Sequence, residues 1–257
     1  MLEIAIEAAL EAGKYLKTNI GNIQHVERKD GQETNLVTEI DKRSEHMIME
    51  RIQQDFPDHD FLGEETGGHN IKSEYRWIID PLDGTVNYTH GLPYFCVSIG
   101  LEYKGTIQLG VVYDPSANEL FTAERGKGAY LNHERLQVTK TNKLIESMLV
   151  TGFPYNINEN PDHAIEHFTN FLAEAQAIRR LGSAALDLCY VAAGRFEGFW
   201  EVNLHPWDIA AGVLILLEAG GTWTDFHGLL TSVYNPQLLA SNGTIHKEMM
   251  RVLKKAL

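Results

Sequence analysis

The segment Trp77-Ile-Ile-Asp-Pro-Leu-Asp-Gly-Thr-Val-Asn-Tyr88 places two acids and a hydroxyl directly after an apolar run. We expect that run to be a strand that delivers Asp80 in an extended conformation, with Asp83 following three residues later across a turn. Two carboxylates aimed at one place, together with a turn carbonyl, meet part of the oxygen-ligand requirement of a hard divalent cation. If a helix begins here, the amides of Gly84 and Thr85 are suited to bind a phosphate. For this segment alone, the alternative is an Asx-type turn with solvated acids.

Two further acidic segments have both a structural and a chemical interpretation. Gly63-Glu-Glu-Thr66 follows the apolar pair Phe61-Leu62, so its acids are either part of a charged loop or a metal ligand with a supporting residue. Pro206-Trp-Asp208 opens an apolar helix. There Asp208 either complements the positive end of the helix or supplies another metal carboxylate.

A third segment, Thr38-Glu-Ile-Asp41, matches a capping box in its looser form. Thr38 would be the N-cap and Asp41 the third helical residue, and that structural task alone can account for the pair. The functional alternative is that Asp41 accepts a hydrogen bond from a catalytic hydroxyl.

The charge balance argues against one class of partner. Lys and Arg number 22 and Asp and Glu number 35 among 257 residues, a formal charge of −13. Such a surface repels nucleic acid phosphates, so we predict no nucleic acid partner. A small phosphate substrate is still compatible, provided that metal ions, helix N-termini or a few cations make its site locally positive.

The cysteines, the histidines and the apolar runs limit the kinds of metal site and the cellular location that we expect. The two cysteines, Cys96 and Cys189, exclude a disulfide framework and a Cys-rich zinc site, and the eleven histidines form no HExxH motif. Residues 1–17 lack the features of a signal peptide, and the longest apolar run, 210–217, is too short to span a membrane. We therefore expect a soluble, cytoplasmic protein without a membrane partner.

Hydrophobic periodicity predicts an α+β half over residues 1–143 and an α/β half over 144–257, within a single domain 1–257. Helices are predicted at 2–17, 39–55, 162–176, 183–193, 207–219 and 246–253. Strands are predicted at 76–79, 95–102, 107–113, 119–124, 148–151, 196–201, 222–224 and 238–240.

Taken in order, these pieces resemble the inositol monophosphatase family, which belongs to the fructose bisphosphatase-like sugar phosphatases. The resemblance spans nearly the whole chain, and the combination of motifs is highly specific. The matching residues are Leu36-Val-Thr-Glu-Ile-Asp41, Gly63-Glu-Glu65, Trp77 to Thr85 with Asn87-Tyr-Thr-His-Gly91, Gly182-Ser-Ala-Ala185 and Trp207-Asp-Ile-Ala-Ala-Gly212.

The resemblance implies a layered αβαβα sandwich, a homodimer, Mg²⁺ as cofactor with two or three ions, inhibition by Li⁺, and a small phosphorylated polyol as substrate. The residues that match the family's metal ligands are Glu64, Asp80, the carbonyl of Leu82, Asp83 and Asp208. The catalytic set that it implies is Glu64 and Thr85, which activate water, and Asp41 as the partner of Thr85. The substrate contacts that it implies are Asp83, Gly84, Thr85, Gly182, Ser183, Ala184, Glu201 and Asp208.

Some positions depart from the family pattern, and other functions compete with the favoured one. Val86 replaces a threonine common after Asp-Gly-Thr, and Lys29 is the candidate for a metal-site lysine in an early loop.

Inositol monophosphate is the favoured substrate. Fructose 1,6-bisphosphate, a nucleoside 3′,5′-bisphosphate or histidinol phosphate are alternatives within the superfamily. A haloacid-dehalogenase-type phosphatase and an inactive metal-binding regulatory scaffold are the rivals outside it.

Overall fold

The computed structural model describes residues 1–21, 26–28, 36–68 and 73–256. The helices in this part of the chain are Leu2–Asn19 (α1), Glu39–Asp55 (α2), Thr85–Thr89 (α3), Ala164–Leu172 (α4), Ala184–Ala192 (α5), Pro206–Glu218 (α6) and His246–Leu253 (α7). The strands are Val26–Arg28 (β1), Leu36–Thr38 (β2), Asp60–Gly63 (β3), Gly67–Gly68 (β4), Tyr75–Asp83 (β5), Cys96–Tyr103 (β6), Thr106–Asp114 (β7), Glu119–Glu124 (β8), Gly128–Leu131 (β9), Glu134–Arg135 (β10), Met148–Thr151 (β11), Ala177–Arg179 (β12), Gly198–Glu201 (β13), Thr222–Thr224 (β14) and Leu238–Ser241 (β15).

Two sheets organise the described residues, apart from the small β1–β2 pair. The larger sheet has the strand order β10-β9-β8-β7-β6-β5-β3-β4, in which β3 and β5 are parallel and the other neighbours antiparallel. The smaller sheet has the order β12-β11-β13-β15-β14, with β11 parallel to both of its neighbours. The predicted change of pattern near residue 144 therefore corresponds to the passage from one sheet to the other.

The helices form three layers around these sheets. Helices α1 and α2 pack on one face of the larger sheet, where small alanines of α1 are fully buried. Helices α5 and α6 lie between the two sheets, and α4 and α7 contact the smaller sheet. The result is the predicted αβαβα sandwich.

A pair of glycines lets α6 approach the larger sheet closely. Gly100 of β6 and Gly110 of β7 face each other in the strand register. A Cβ added at Gly110 would lie 2.6 Å from the carbonyl oxygen of Ala211, and one added at Gly100 would lie 3.0 Å from the Cβ of Ala210. Because larger side chains would displace α6, these glycines help to determine where its first turn, which carries Asp208, lies.

The structure differs from the predicted elements in two informative places. The predicted turn after Asp80 is absent, because β5 continues to Asp83 with a bulge. The helix predicted at 162–176 is shorter, because Asp162 and His163 adopt left-handed backbone angles before α4 begins and β12 follows soon after its end. A kinked 3-10 turn and a three-residue edge strand give little periodic signal, which explains the error.

In the part of the chain that the structure describes, no helix combines the length and the apolar character needed to cross a membrane.

Candidate functional site

One cavity of about 460 Å³ lies where the end of β5 meets the first turns of α5 and α6. It gathers residues from distant parts of the sequence. The predicted site residues that line it are Glu64, Asp80, Leu82, Asp83, Gly84, Thr85, Gly182, Ser183, Ala184, Glu201 and Asp208. Asp41 is fully buried and contacts Thr85.

The bulge in β5 turns Asp80 and Asp83 to the same face of the sheet. Asp80 pairs with Ser98 and Asp83 with Cys96, so two residues of β5 oppose one residue of β6 between them. In a regular strand, residues three apart point to opposite faces, and the extra residue of the bulge cancels that difference. The amide of Leu82 donates to Asp80 Oδ1 at 3.0 Å, which stabilises this irregular stretch.

Asp83 is bound by the start of α5, from the other half of the chain. The hydroxyl of Ser183 donates to Asp83 Oδ2 at 2.6 Å, and the amide of Ala185 donates to the same oxygen at 2.8 Å. The Ser183 hydroxyl also accepts a bond from the amide of Leu186 at 3.4 Å and so caps α5. Ser183, predicted as a substrate contact, therefore also has a structural role in orienting Asp83.

Asp208 is positioned by the start of α6. The amide of His205 donates to Asp208 Oδ2 at 2.6 Å, so this carboxylate satisfies a backbone donor just before the helix. Asp208 thus has a structural role at the start of α6, and the same side chain also lines the cavity.

Asp41 both completes the cap of α2 and contacts Thr85. Thr38 caps α2, and the capping box with Asp41 is present: Asp41 Oδ2 accepts from the amide of Thr38 at 2.9 Å and also from its hydroxyl. The hydroxyl of Thr85 lies 3.1 Å from Asp41 Oδ1 and 3.0 Å from the carbonyl oxygen of Leu82, and it can donate its single proton to either. One oxygen of Asp41 is therefore used by the helix cap, and the other faces the predicted catalytic hydroxyl.

Glu64 enters the cavity from the loop that follows β3. Its backbone amide donates to the carbonyl of Ile79 at 3.2 Å, which joins this loop to β5 just before Asp80. The parallel pairing of β3 with β5 aligns Gly63 with Ile79, so the residues that follow them, Glu64 and Asp80, lie side by side.

The charged acids of the cavity make ionisation of their neighbours less favourable. Desolvation first, and then the neighbouring carboxylates of Glu64 and Asp83, raise the pKa of Asp80 well above its usual range. Desolvation also raises the pKa of Asp83 to about 6, although the hydrogen bonds from Ser183 and Ala185 act in the opposite direction. The pKa of Asp208 is raised by desolvation and by the charge of Asp83.

The chemistry of this donor set fits Mg²⁺. Several carboxylate oxygens held together at a cost in repulsion are stabilised by a divalent cation, and hard oxygen donors are what Mg²⁺ prefers. Among the described residues, no three Asp, Glu, His or Cys side chains are arranged to hold one ion by themselves.

Glu201 lines the cavity from the end of β13. Desolvation, followed by the charge of Asp187, raises the pKa of Glu201 to about 8, and Arg180 counteracts this shift. A carboxyl group that is readily protonated can both donate to and accept from substrate hydroxyls.

Sequence reasoning missed several residues of this cavity. Arg180 and the segment 152–155 line it, and Asp187 lies beside it, where it accepts a hydrogen bond from Tyr94 at 2.9 Å. Arg180 lies two residues before Gly182, the first residue of a matched motif, and this proximity was the available signal. Lys29, the predicted metal-site lysine, lies outside the described residues.

Comparison with known proteins confirms the family resemblance that the motifs indicated. A model of the inositol monophosphatase family matches residues 1–257. The chain belongs to the inositol monophosphatase family. It is 40% identical to an inositol-1-monophosphatase of Mesorhizobium japonicum, an alignment that covers all of this chain and 97% of that protein.

Two further relatives, one of them with a different name, are about as similar to this chain. The chain is 44% identical to the Nus factor SuhB of Pasteurella multocida, over all of this chain and 97% of that protein. The solved inositol monophosphatase from Anabaena superposes with a TM-score of 0.90 at 44% identity, over 99% of this chain and 95% of the other. The inositol monophosphatase family is a family of phosphatases that are generally metal-dependent, and it suggests a small phosphorylated molecule as substrate.

Proposed function

We propose that the chain is a Mg²⁺-dependent phosphatase that hydrolyses the phosphate monoester of a small polyol, with inositol monophosphate as the favoured substrate. The observation that carries this proposal is the convergence of four acids, Glu64, Asp80, Asp83 and Asp208, with the Thr85 hydroxyl in one cavity. Asp41 is buried outside that cavity and contacts Thr85. The proposal includes two or three bound Mg²⁺ ions and inhibition by Li⁺, as the resemblance to the family implies.

Each residue has a proposed task. Glu64, Asp80, the carbonyl of Leu82, Asp83 and Asp208 would hold the ions. Bound there, Mg²⁺ would supply a water of lowered pKa and positive charge for the phosphate. The Glu64 carboxylate and the Thr85 hydroxyl orient the attacking water and remove its proton.

The second oxygen of Asp41 accepts the hydrogen bond from Thr85 and thereby directs the lone pairs of Thr85 toward the cavity. Backbone donors at the starts of α3 and α5 are available to the phosphate oxygens. Glu201 contacts the hydroxyls of the polyol. We further propose that residues 1–257 act as one phosphatase domain, in a cytoplasmic homodimer.

The deciding experiment is phosphate release from inositol 1-phosphate by purified, chelator-treated protein titrated with Mg²⁺. A panel with fructose 1,6-bisphosphate, a nucleoside 3′,5′-bisphosphate and histidinol phosphate identifies the preferred substrate. Hydroxylamine trapping tests for the phospho-aspartate of the haloacid-dehalogenase mechanism, which the proposal excludes. Absence of Mg²⁺-dependent hydrolysis of every substrate would refute the proposal and favour a regulatory scaffold.

A further inference from the structure

Glu45 is a fully buried glutamate that the proposed reaction does not use. It lies on α2 with 0% of its surface exposed. Its Oε2 accepts a hydrogen bond from the amide of Glu65 at 2.9 Å, and its Oε1 accepts one from the amide of Thr66 at 2.9 Å. Glutamates are rarely buried unless their charge is compensated, so this two-point contact accounts for the burial of Glu45.

These bonds hold the loop that carries Glu64. The amide of Glu64 is bound by Ile79 of β5, and the next two amides are bound by Glu45 of α2. Three successive backbone donors are thus held from two directions, which restricts the direction in which the Glu64 side chain leaves the loop.

The carboxylate of Glu45 sits directly against the backbone of Gly63. A Cβ added at Gly63 would clash with the carboxylate of Glu45. Gly63 is therefore required for space, and the loop and the carboxylate fit each other closely.

The same helix supports two other parts of the site. Asp41, one turn before Glu45, contacts Thr85. Ser44 donates its hydroxyl to the carbonyl of Pro81 at 2.9 Å, within the bulge between Asp80 and Asp83. Side chains at such spacing share one helix face, so this face of α2 contacts the water-activating hydroxyl, the bulge and the Glu64 loop.

We propose that Glu45 is a positioning residue that orients Glu64 for metal binding and water activation. The inference rests on the proposed function. It predicts that a side chain of equal size with only one acceptor, as in Glu45→Gln, misplaces Glu64, because its amide group would face a backbone N–H that needs an acceptor.

The test compares Glu45→Gln with Glu50→Gln, an exposed position on the same helix that pairs with His46 on the surface. Mg²⁺ binding is measured by calorimetry without substrate, and kcat and KM are measured at saturating Mg²⁺. Loss of a residue that supports a metal ligand typically lowers metal affinity or activity 10- to 100-fold. We expect about a 10-fold weaker Mg²⁺ affinity and about a 10-fold lower kcat for Glu45→Gln, with KM within about twofold of wild type. Glu50→Gln should match wild type.

A coupling experiment separates positioning from a merely structural contact. If Glu45 acts through Glu64, then Glu45→Gln should not weaken Mg²⁺ binding further in a Glu64→Gln background. A full additional loss there, or wild-type Mg²⁺ binding and kcat in folded Glu45→Gln, would overturn the inference. Should Glu45→Gln fail to fold, Glu45→Asp, which keeps the charge but is one methylene shorter, is judged by the same criteria.

Failure of the proposed function can be recognised separately. If the wild-type protein neither binds Mg²⁺ nor hydrolyses a phosphate monoester, both the function and this inference are wrong. If the wild type does both and the Glu45 variants are indistinguishable from it, only the positioning role is wrong.

Discussion

Ser183 donates its hydroxyl to Asp83 Oδ2 at 2.6 Å, although 100 residues separate the two in the chain. The bond joins the end of β5 to the start of α5, and hence the larger sheet to the helical layer between the sheets. It also favours the charged form of Asp83 and partly offsets the desolvation that raises the pKa of that carboxyl. The orientation of a proposed metal ligand therefore depends on a residue from the other half of the chain.

Ser183→Ala should weaken Mg²⁺ binding by about 10-fold, because Asp83 loses a donor that orients it. The protein should also lose about 1 kcal/mol of unfolding free energy, since the same hydroxyl caps α5. Calorimetric Mg²⁺ titration and urea unfolding measure the two effects. Ser183→Thr keeps a hydroxyl and serves as the control. Unchanged Mg²⁺ affinity in the alanine variant would mean that Ala185 alone suffices to orient Asp83.

Asp80→Asn and Asp83→Asn should each abolish Mg²⁺-dependent turnover and leave the fold intact. Each substitution removes a negative charge and one metal-binding oxygen from the cavity. The measurement is phosphate release over a range of Mg²⁺ concentrations, with circular dichroism to verify folding. Asp58→Asn, at an exposed position before β3, is the matched control. Near-normal activity of either cavity variant would disprove the metal-site assignment.

Thr85→Ala should lower kcat by roughly 10²-fold or more, a typical loss for a group that positions a proton transfer. KM should change much less. Thr85→Ser, which keeps the hydroxyl facing Asp41, should retain most of the activity. Steady-state kinetics at saturating Mg²⁺ provide both constants. If KM rises while kcat is unchanged, Thr85 only binds substrate and does not activate water.

Glu201→Ala should reduce kcat/KM for inositol 1-phosphate by about 10- to 100-fold, because removing one partner of a buried hydrogen bond costs about 1–3 kcal/mol. Glycerol phosphate, which has fewer hydroxyls to contact, should lose much less. Mg²⁺ affinity should barely change, because Glu201 is not among the proposed ligands. Equal losses for the two substrates, or none for either, would show that Glu201 does not recognise the polyol.

His246 should make the folded protein sensitive to acid. Its Nε2 lies 3.0 Å from the hydroxyl of Thr224, and its Nδ1 lies 2.9 Å from that of Ser241. The Thr224 hydroxyl donates to the carbonyl of Asp225 at 2.7 Å, so it accepts from Nε2, and Nδ1 is left to accept from Ser241. This network suits the neutral ring, and desolvation lowers the pKa of His246 from 6.5 to about 4.

Between about pH 6.5 and 4 the unfolded chain therefore binds a proton at His246 that the folded protein excludes. The free energy of unfolding should fall as the pH drops through this range, and His246 should contribute no pH dependence above it. Urea unfolding at pH 7.5 and 5.0 measures the change, and His246→Gln, which cannot titrate there, should lose less stability between the two. An identical change in both proteins would contradict the assignment.

The sequence alone was sufficient to predict elements with strong periodicity or clear boundary signals. Helix α2 begins after the Thr38 cap and ends at Asp55, as predicted, because a capping box and the nearby Pro57 determine its limits locally. Gly194 adopts a positive φ after α5, as expected of a residue that ends a helix. The motif residues around Asp80 were likewise recognisable, because their types and order match those of the inositol monophosphatase family.

Only the tertiary structure decided how those residues are oriented. The bulge that turns Asp80 and Asp83 to one face depends on pairing with β6, and a strand partner cannot be inferred from the local sequence. The same holds for Ser183 on Asp83 and for Glu45 beneath the Glu64 loop. Each of these contacts joins elements 20 to 100 residues apart, and their geometry follows from how the layers pack. Residue type therefore indicated the chemistry of the site, whereas packing between the sheets and helices determined where each carboxylate points.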